Sequence, residues 1–172
     1  MASGQVVVKV NAIQPPATVG AVFGVRTGGS SPAEQVPYYA FDAAADWYLD
    51  FYCTLVGYGG GGLTFRLTGM AATATTGGAL MALAIRRLTD DAVDVDTAQT
   101  YDYNEVRVPA PSASGELTYD TITFTNGADM DSVANNEDFI LRLRRRGSDN
   151  TATTGDDMAG FYQLIGLVGL ES

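Results

Sequence analysis

The chain has no histidine, one cysteine and one lysine among its 172 residues. Without histidine it lacks the commonest general base, the Ser-His and Cys-His nucleophile pairs and most zinc sites. Cys53 is alone, which excludes an intramolecular disulfide framework, and its mid-strand position reads as a small buried hydrophobe. With Lys9 the single lysine, positive charge rests almost wholly on arginine, whose planar fork suits fixed carboxylate contacts rather than general solubility. Twenty Asp and Glu against ten Lys and Arg give a formal charge of -10, a poor match to nucleic acid, which requires clustered positive charge. The longest apolar runs are too short for a bilayer helix, and no charged-then-apolar leader precedes them. Neither a membrane span nor a signal peptide is expected.

What is present is a β pattern. A chain that is 46% hydrophobic, with 7 Phe, 9 Tyr and 1 Trp, is not disordered, and its length suits one domain with its own core. Trp47 to Gly57 alternates most clearly: Trp47, Leu49, Phe51, Cys53 and Leu55 face inward, Tyr48, Asp50, Tyr52 and Thr54 outward. The loop Gly59 to Gly62 then leads into Leu63 to Thr68, which predicts a hairpin with a flexible tip; no Lys-Ser/Thr follows, so the glycines are not a phosphate loop. Shorter strands are expected at Val19 to Arg26, Val36 to Phe41, around Val106, Glu116 to Thr125 and Phe139 to Arg145. Ala79 to Leu88 fits a helix by composition, but its flanking glycines and neighbouring strands favour a strand. Asp129 is the expected N-cap of a helical turn over residues 129–134. Gln5 to Val10 alternates and is cut off by Pro15-Pro16, so residues 1–16 form either an arm or an edge strand, with 17–172 the single domain. The fold class that follows is all-β: an antiparallel sandwich of jelly-roll type, with eight or nine strands and at most one helical turn.

Chemistry-bearing clusters are few. Asp90, Asp91, Asp94 and Asp96 crowd one loop and Asp156-Asp157 end another, but their spacing is not that of a calcium loop, and solvated charge is the expectation. Arg142, Arg144 and Arg146 fall on one outward strand face, either paired with local carboxylates or forming a docking stripe for an acidic surface. Tyr38, Tyr39, Tyr48, Tyr52, Tyr58, Tyr101 and Tyr103 fit sugar stacking or a protein interface. No carboxylate pair stands out for hydrolysis, so no catalytic residue, metal or cofactor is assigned and no enzyme is expected. The final strand, Met158 to Leu170, is apolar on both faces, with Phe161, Ile165 and Leu167 on one and Tyr162, Leu164, Val168 and Leu170 on the other. A two-layered domain covers only one such face, so a second copy of the chain is expected on the other.

Arg26 to Glu34, Phe41-Asp42-Ala43, Thr121 to Asn126 with Met130-Asp131, Asp138 to Arg145 and the Gly/Thr/Asp-rich loop before the last strand together resemble a loose group of jelly-roll virion proteins of tailed bacteriophages. The likeness spans roughly residues 25–170. It implies a virion component; the leading reading is a homotrimeric decoration (cement) protein on the outer surface of the icosahedral capsid, partnered with the major capsid protein. The alternative is a tail-fibre or tailspike module binding host surface carbohydrate. The shared motifs are turns and strands and carry no functional residue across. On this reading Tyr162, Leu164, Val168, Leu170, Ala82 and Ala84 would line the trimer interface, while Val6, Val8, Val10, Arg142, Arg144 and Arg146 would dock on capsid.

Overall fold

Leu49, Cys53, Leu55, Leu63, Phe65 and Leu67 are all wholly buried, and they are every second residue of two strands, which is how a period-two pattern becomes a two-layered fold. The computed structural model describes residues 7–90, 93–149 and 154–171. Ten strands run β1 (Val7–Gln14), β2 (Val22–Gly28), β3 (Glu34–Phe41), β4 (Asp46–Val56), β5 (Leu63–Ala71), β6 (Gly78–Leu88), β7 (Asn104–Pro109), β8 (Leu117–Phe124), β9 (Asp138–Arg146) and β10 (Tyr162–Glu171), more than the eight or nine expected. They form two antiparallel five-stranded sheets, β1-β4-β9-β6-β7 and β2-β3-β10-β5-β8, stacked as a sandwich. Between them lie Phe41, Phe139, Tyr162 and an edge-to-face pair, Phe65 and Phe124, with centroids 5.8 Å apart. Cys53 lies in this core, where burial pushes its thiol up to about 12.

Four readings are decided or changed. First, of the arm and edge-strand alternatives, residues 7–14 take the edge strand: β1 pairs antiparallel with β4, from Val7 opposite Val56 to Gln14 opposite Asp50, as the edge of its own sheet. Val6 lies outside the described residues. Second, the short helix is a single 3-10 turn, Ala128–Met130, with Gly127 at its N-cap. Asp129 is not the cap; its carboxylate accepts from the Thr125 amide at 2.6 Å, the Thr125 hydroxyl and the Asn104 amide. Third, the glycine loop is tied down, because the Glu171 carboxylate accepts from the amides of Gly59 and Gly61 at 3.0 and 2.8 Å.

The fourth change concerns β10. Tyr162 sits opposite Ala71 and Leu164 opposite Gly69, both facing the core, but the register slips between Leu164 and Gly166. One extra residue reverses the alternation. Beyond it Leu167 turns inward opposite Leu67, and Val168 and Leu170 turn out, 44% and 49% exposed. Tyr162 and Leu164 are therefore core residues and cannot line a trimer interface.

The connection after β9 is anchored by a buried ion pair that alternation alone does not reveal. Arg145 points inward with its guanidinium fully enclosed. Its Nε and Nη2 each donate to Asp156 at 2.7 Å, and Nη1 and Nη2 also reach the carbonyls of Phe41, Gly160 and Met158. The second face of Asp156 accepts from the Leu80 amide at 3.0 Å, stitching the loop to β6.

Candidate functional site

The outer face of the first sheet carries the densest collection of polar and aromatic side chains. Its three central strands place Tyr48, Asp50, Tyr52 and Thr54 of β4 opposite Arg144, Arg142, Ile140 and Asp138 of β9. Arg144, Arg142 and Ile140 in turn face Ala82, Ala84 and Arg86 of β6. The two alanines are small, and the β6–β7 connection brings aromatic rings to this side of the sheet. The Tyr101 ring centre lies 4.2 Å from the Arg142 guanidinium carbon and the Tyr103 ring 3.9 Å from that of Arg144, within cation–π range. The Tyr48 ring centre also lies 5.7 Å from the Arg142 guanidinium carbon, so this guanidinium contacts two rings.

The polar groups are held in place. Asp50 grips Arg142 through two hydrogen bonds of 2.6 Å, which hold the guanidinium even further above its ordinary pKa. Arg144 lies 3.7 Å from Asp46 and 3.5 Å from Glu105; Arg146 pairs with Glu105 at 2.9 Å and Asp149 at 3.2 Å. The arginine stripe is thus a charged strand face paired within the chain. Tyr52, 39% exposed, donates to Asp138 at 3.1 Å, a contact that raises its phenol's pKa. The second Asp138 oxygen accepts from Thr54 at 2.6 Å. Burial pushes the Tyr103 phenol up to about 12, partly offset by Arg144.

Between sheet and connection lies a cleft of about 290 Å³. Arg86, Ile140 and Arg142 form its floor, and Val95, Thr97, Ala98, Gln99 and Tyr101 its wall. The Gln99 amide donates to the carbonyls of Asp94 and Thr97 and to the Thr97 hydroxyl, which fixes the wall locally. A smaller cavity of about 190 Å³ lies on the other side of Arg86, lined in part by Asp102, Asp129 and Asp131. Such a site, with an aromatic ring, apolar Ile140 and Val95 and arginine donors, has the makeup of a small-molecule subsite. Among the described residues no group of three or more His, Cys, Asp or Glu side chains could hold a metal ion. Asp94 instead caps its own turn, accepting from the Asp96 amide at 2.9 Å; Asp91 lies outside the described residues.

The structure sorts the residues singled out from sequence. Ala82 and Ala84 are fully buried inside the single chain, so the cover over this face of β6 comes from the chain itself and neither alanine can meet a second copy. Val168 and Leu170 stay exposed, on the outer face of the second sheet, where Leu117 and Tyr119 of β8 are exposed as well. Val8 and Val10 take positions in β1 opposite Leu55 and Cys53. Of the tyrosines, Tyr48, Tyr52, Tyr101 and Tyr103 gather on the first sheet, Tyr39 packs against the core, and Tyr58 donates to Asn126 beside the glycine loop. Sequence reasoning passed over Arg86, although a charge ending the run Ala79 to Ile85, apolar on both faces, was a visible signal.

Neither a protein-family model nor a curated protein sequence matches the chain. Solved structures do. The xylan-binding domain CBM22-1 of Paenibacillus barcinonensis Xyn10C superposes with a TM-score of 0.51 at 9% identity, covering 99% of this chain and 96% of that one. The likeness is one of fold. TmCBM61, solved in complex with β-1,4-galactotriose, gives a TM-score of 0.40 at 12% identity, covering 95% of this chain and 91% of that one. A family 16 carbohydrate-binding module gives 0.42 at 15%, covering 87% and 86%.

Proposed function

We propose that the chain is a non-catalytic carbohydrate-binding module that presents the outer face of its first sheet to a glycan. The observation that carries this reading is the cleft beside Tyr101 and Arg142, with the exposed Tyr52 ring farther along the same face. A sugar ring offers C–H groups that pack on an aromatic face and hydroxyls that need charged or amide partners, and this face supplies both. Its rings and forks are fixed by the sheet and by internal ion pairs, so little side-chain freedom is lost on binding. The shared fold with a xylan-binding domain supports the same reading. Mounted on a virion, such a module would hold host surface sugar. Glycan-array binding of the wild type, followed by Tyr101→Ala and Tyr52→Ala, tests it. Each truncation should weaken a detected glycan about tenfold, the scale of one aromatic contact. A wild-type chain retained by no glycan would refute the proposal.

A second reading, a self-associating virion component, rests on the opposite face. Leu117, Tyr119, Val168 and Leu170 are each half exposed there, with Arg66 over the Tyr119 ring at 5.7 Å. Exposed apolar clusters of this kind mark contact surfaces. A homotrimer would scatter light as about three chains of 18.1 kDa, and a monomer at micromolar concentration would reject the reading.

A further inference from the structure

Resting on the carbohydrate reading, we infer that the cleft takes a carboxylated sugar and that Arg86 is the residue that holds the carboxylate. Arg86 is only 9% exposed, yet its Nε is enclosed without a hydrogen-bond partner and no carboxylate among the described residues forms an ion pair with it. Arg87 and Arg144 share an enclosed, unbonded Nε but have counter-charges, Arg87 at Glu137 and Arg144 near Asp46 and Glu105, and Arg142 is paired with Asp50. A buried guanidinium without a counter-charge is costly, and the nearest compensation, the Tyr101 ring 5.9 Å away, restores only part of it.

The acids of the adjoining cavity do not supply the missing partner. Asp129 is engaged by Thr125 and Asn104, Asp131 accepts from the Arg87 amide at 2.8 Å, and neither these nor Asp102 forms an ion pair with Arg86. On the cleft side Arg142 is already neutralised by Asp50, so the free positive charge facing the cavity belongs to Arg86. A carboxylate entering between Arg86 and Gln99 would meet a planar fork that matches its two oxygens. A chain of net charge -10 disfavours extended polyanions, so recognition falls on one carboxylate at one fixed place.

Titration calorimetry on the full chain tests this with galacturonate monosaccharide and sialyllactose, the methyl ester of each, and neutral xylo-oligosaccharide. The free acid should bind about 10- to 100-fold more tightly than its ester, the scale of a hydrogen-bonded charge pair, and the excess should shrink with added salt. Arg86→Gln should bring acid and ester to equal affinity, and Arg86→Lys should retain part of the excess. Because the acid–ester comparison uses the wild type, it stands even if Arg86→Gln fails to fold, which its melting curve reports. Equal affinity for acid and ester, or an excess that survives in a folded Arg86→Gln variant, overturns the carboxylate assignment and leaves the sugar reading intact. No binding to any of these sugars, charged or neutral, overturns both.

Discussion

Asp156→Ala isolates the Arg145 anchor. Both side chains are out of solvent, at 0% and 1% exposure, so removing the carboxylate strands a guanidinium that water cannot reach. Breaking a buried pair by deleting one partner costs about 3–5 kcal/mol, and the Leu80 amide also loses its acceptor. For a domain of 172 residues each kcal/mol lowers Tm by about 2–4 °C, which gives a drop of about 6–20 °C. Asp50→Ala is the matched control. Its pair with Arg142 has equally good geometry but side chains 25% and 23% exposed, so the stranded guanidinium rehydrates and the loss should stay near 1 kcal/mol. Urea denaturation followed by Trp47 fluorescence reads both variants, since Trp47 packs edge-on against Phe161 in the connection that Arg145 holds. In Arg145→Met with Asp156→Leu the cost should be smaller than the sum of the single losses, because no charge is left unpaired. It should not vanish, because the carbonyls of Phe41, Met158 and Gly160 lose their donor. Equal losses for Asp156→Ala and Asp50→Ala would refute the argument that burial sets the difference.

Two further outcomes follow from the second sheet. Leu164→Asp should unfold the chain by burying a charge in the core, whereas Val168→Asp should leave the melting temperature nearly unchanged and dissociate any oligomer; identical effects in melting and light scattering would mean the bulge is misplaced. Asp120 lies opposite Leu67, and burial raises its pKa above 3.8, so its ionisation opposes folding and the penalty grows as pH rises through the raised folded value. Asp120→Asn should therefore melt higher than the wild type at pH 7, with the gap closing as pH falls toward the ordinary carboxylate range; a gap that widens on acidification would contradict the sign.

Alternation was legible wherever a strand is regular. The inward set Leu49, Phe51, Cys53 and Leu55, the antiparallel sandwich and the outward arginines can all be read two residues at a time. The last strand could not, because a bulge is decided by how β10 must meet β5, and nothing between Leu164 and Gly166 announces it. Gly69 contributes at this contact: a Cβ there would sit 2.2 Å from the Tyr162 hydroxyl, so the inward turn of Tyr162 requires glycine on a strand far away in sequence. Arg145 was half legible, since its parity points inward, but its partner lies in a loop whose path depends on the completed fold.

The candidate site was hidden for a related reason. A strand apolar on both faces requires a second cover, and the sequence does not say whether that cover is another chain or the chain's own connection. The structure answers for β6: Ala82 and Ala84 are wholly buried, while Tyr101 and Tyr103 from the connection stack over the arginines beside them. That cover is incomplete at the Arg86 end, where the connection stands off the sheet and leaves the cleft. The partly covered sheet therefore accounts for both the burial of Ala82 and Ala84 and the proposed binding site. Small residues admit the tyrosines over one half of the face, and the long Arg86 side chain, ending the apolar run, holds an enclosed charge open to a ligand at the other.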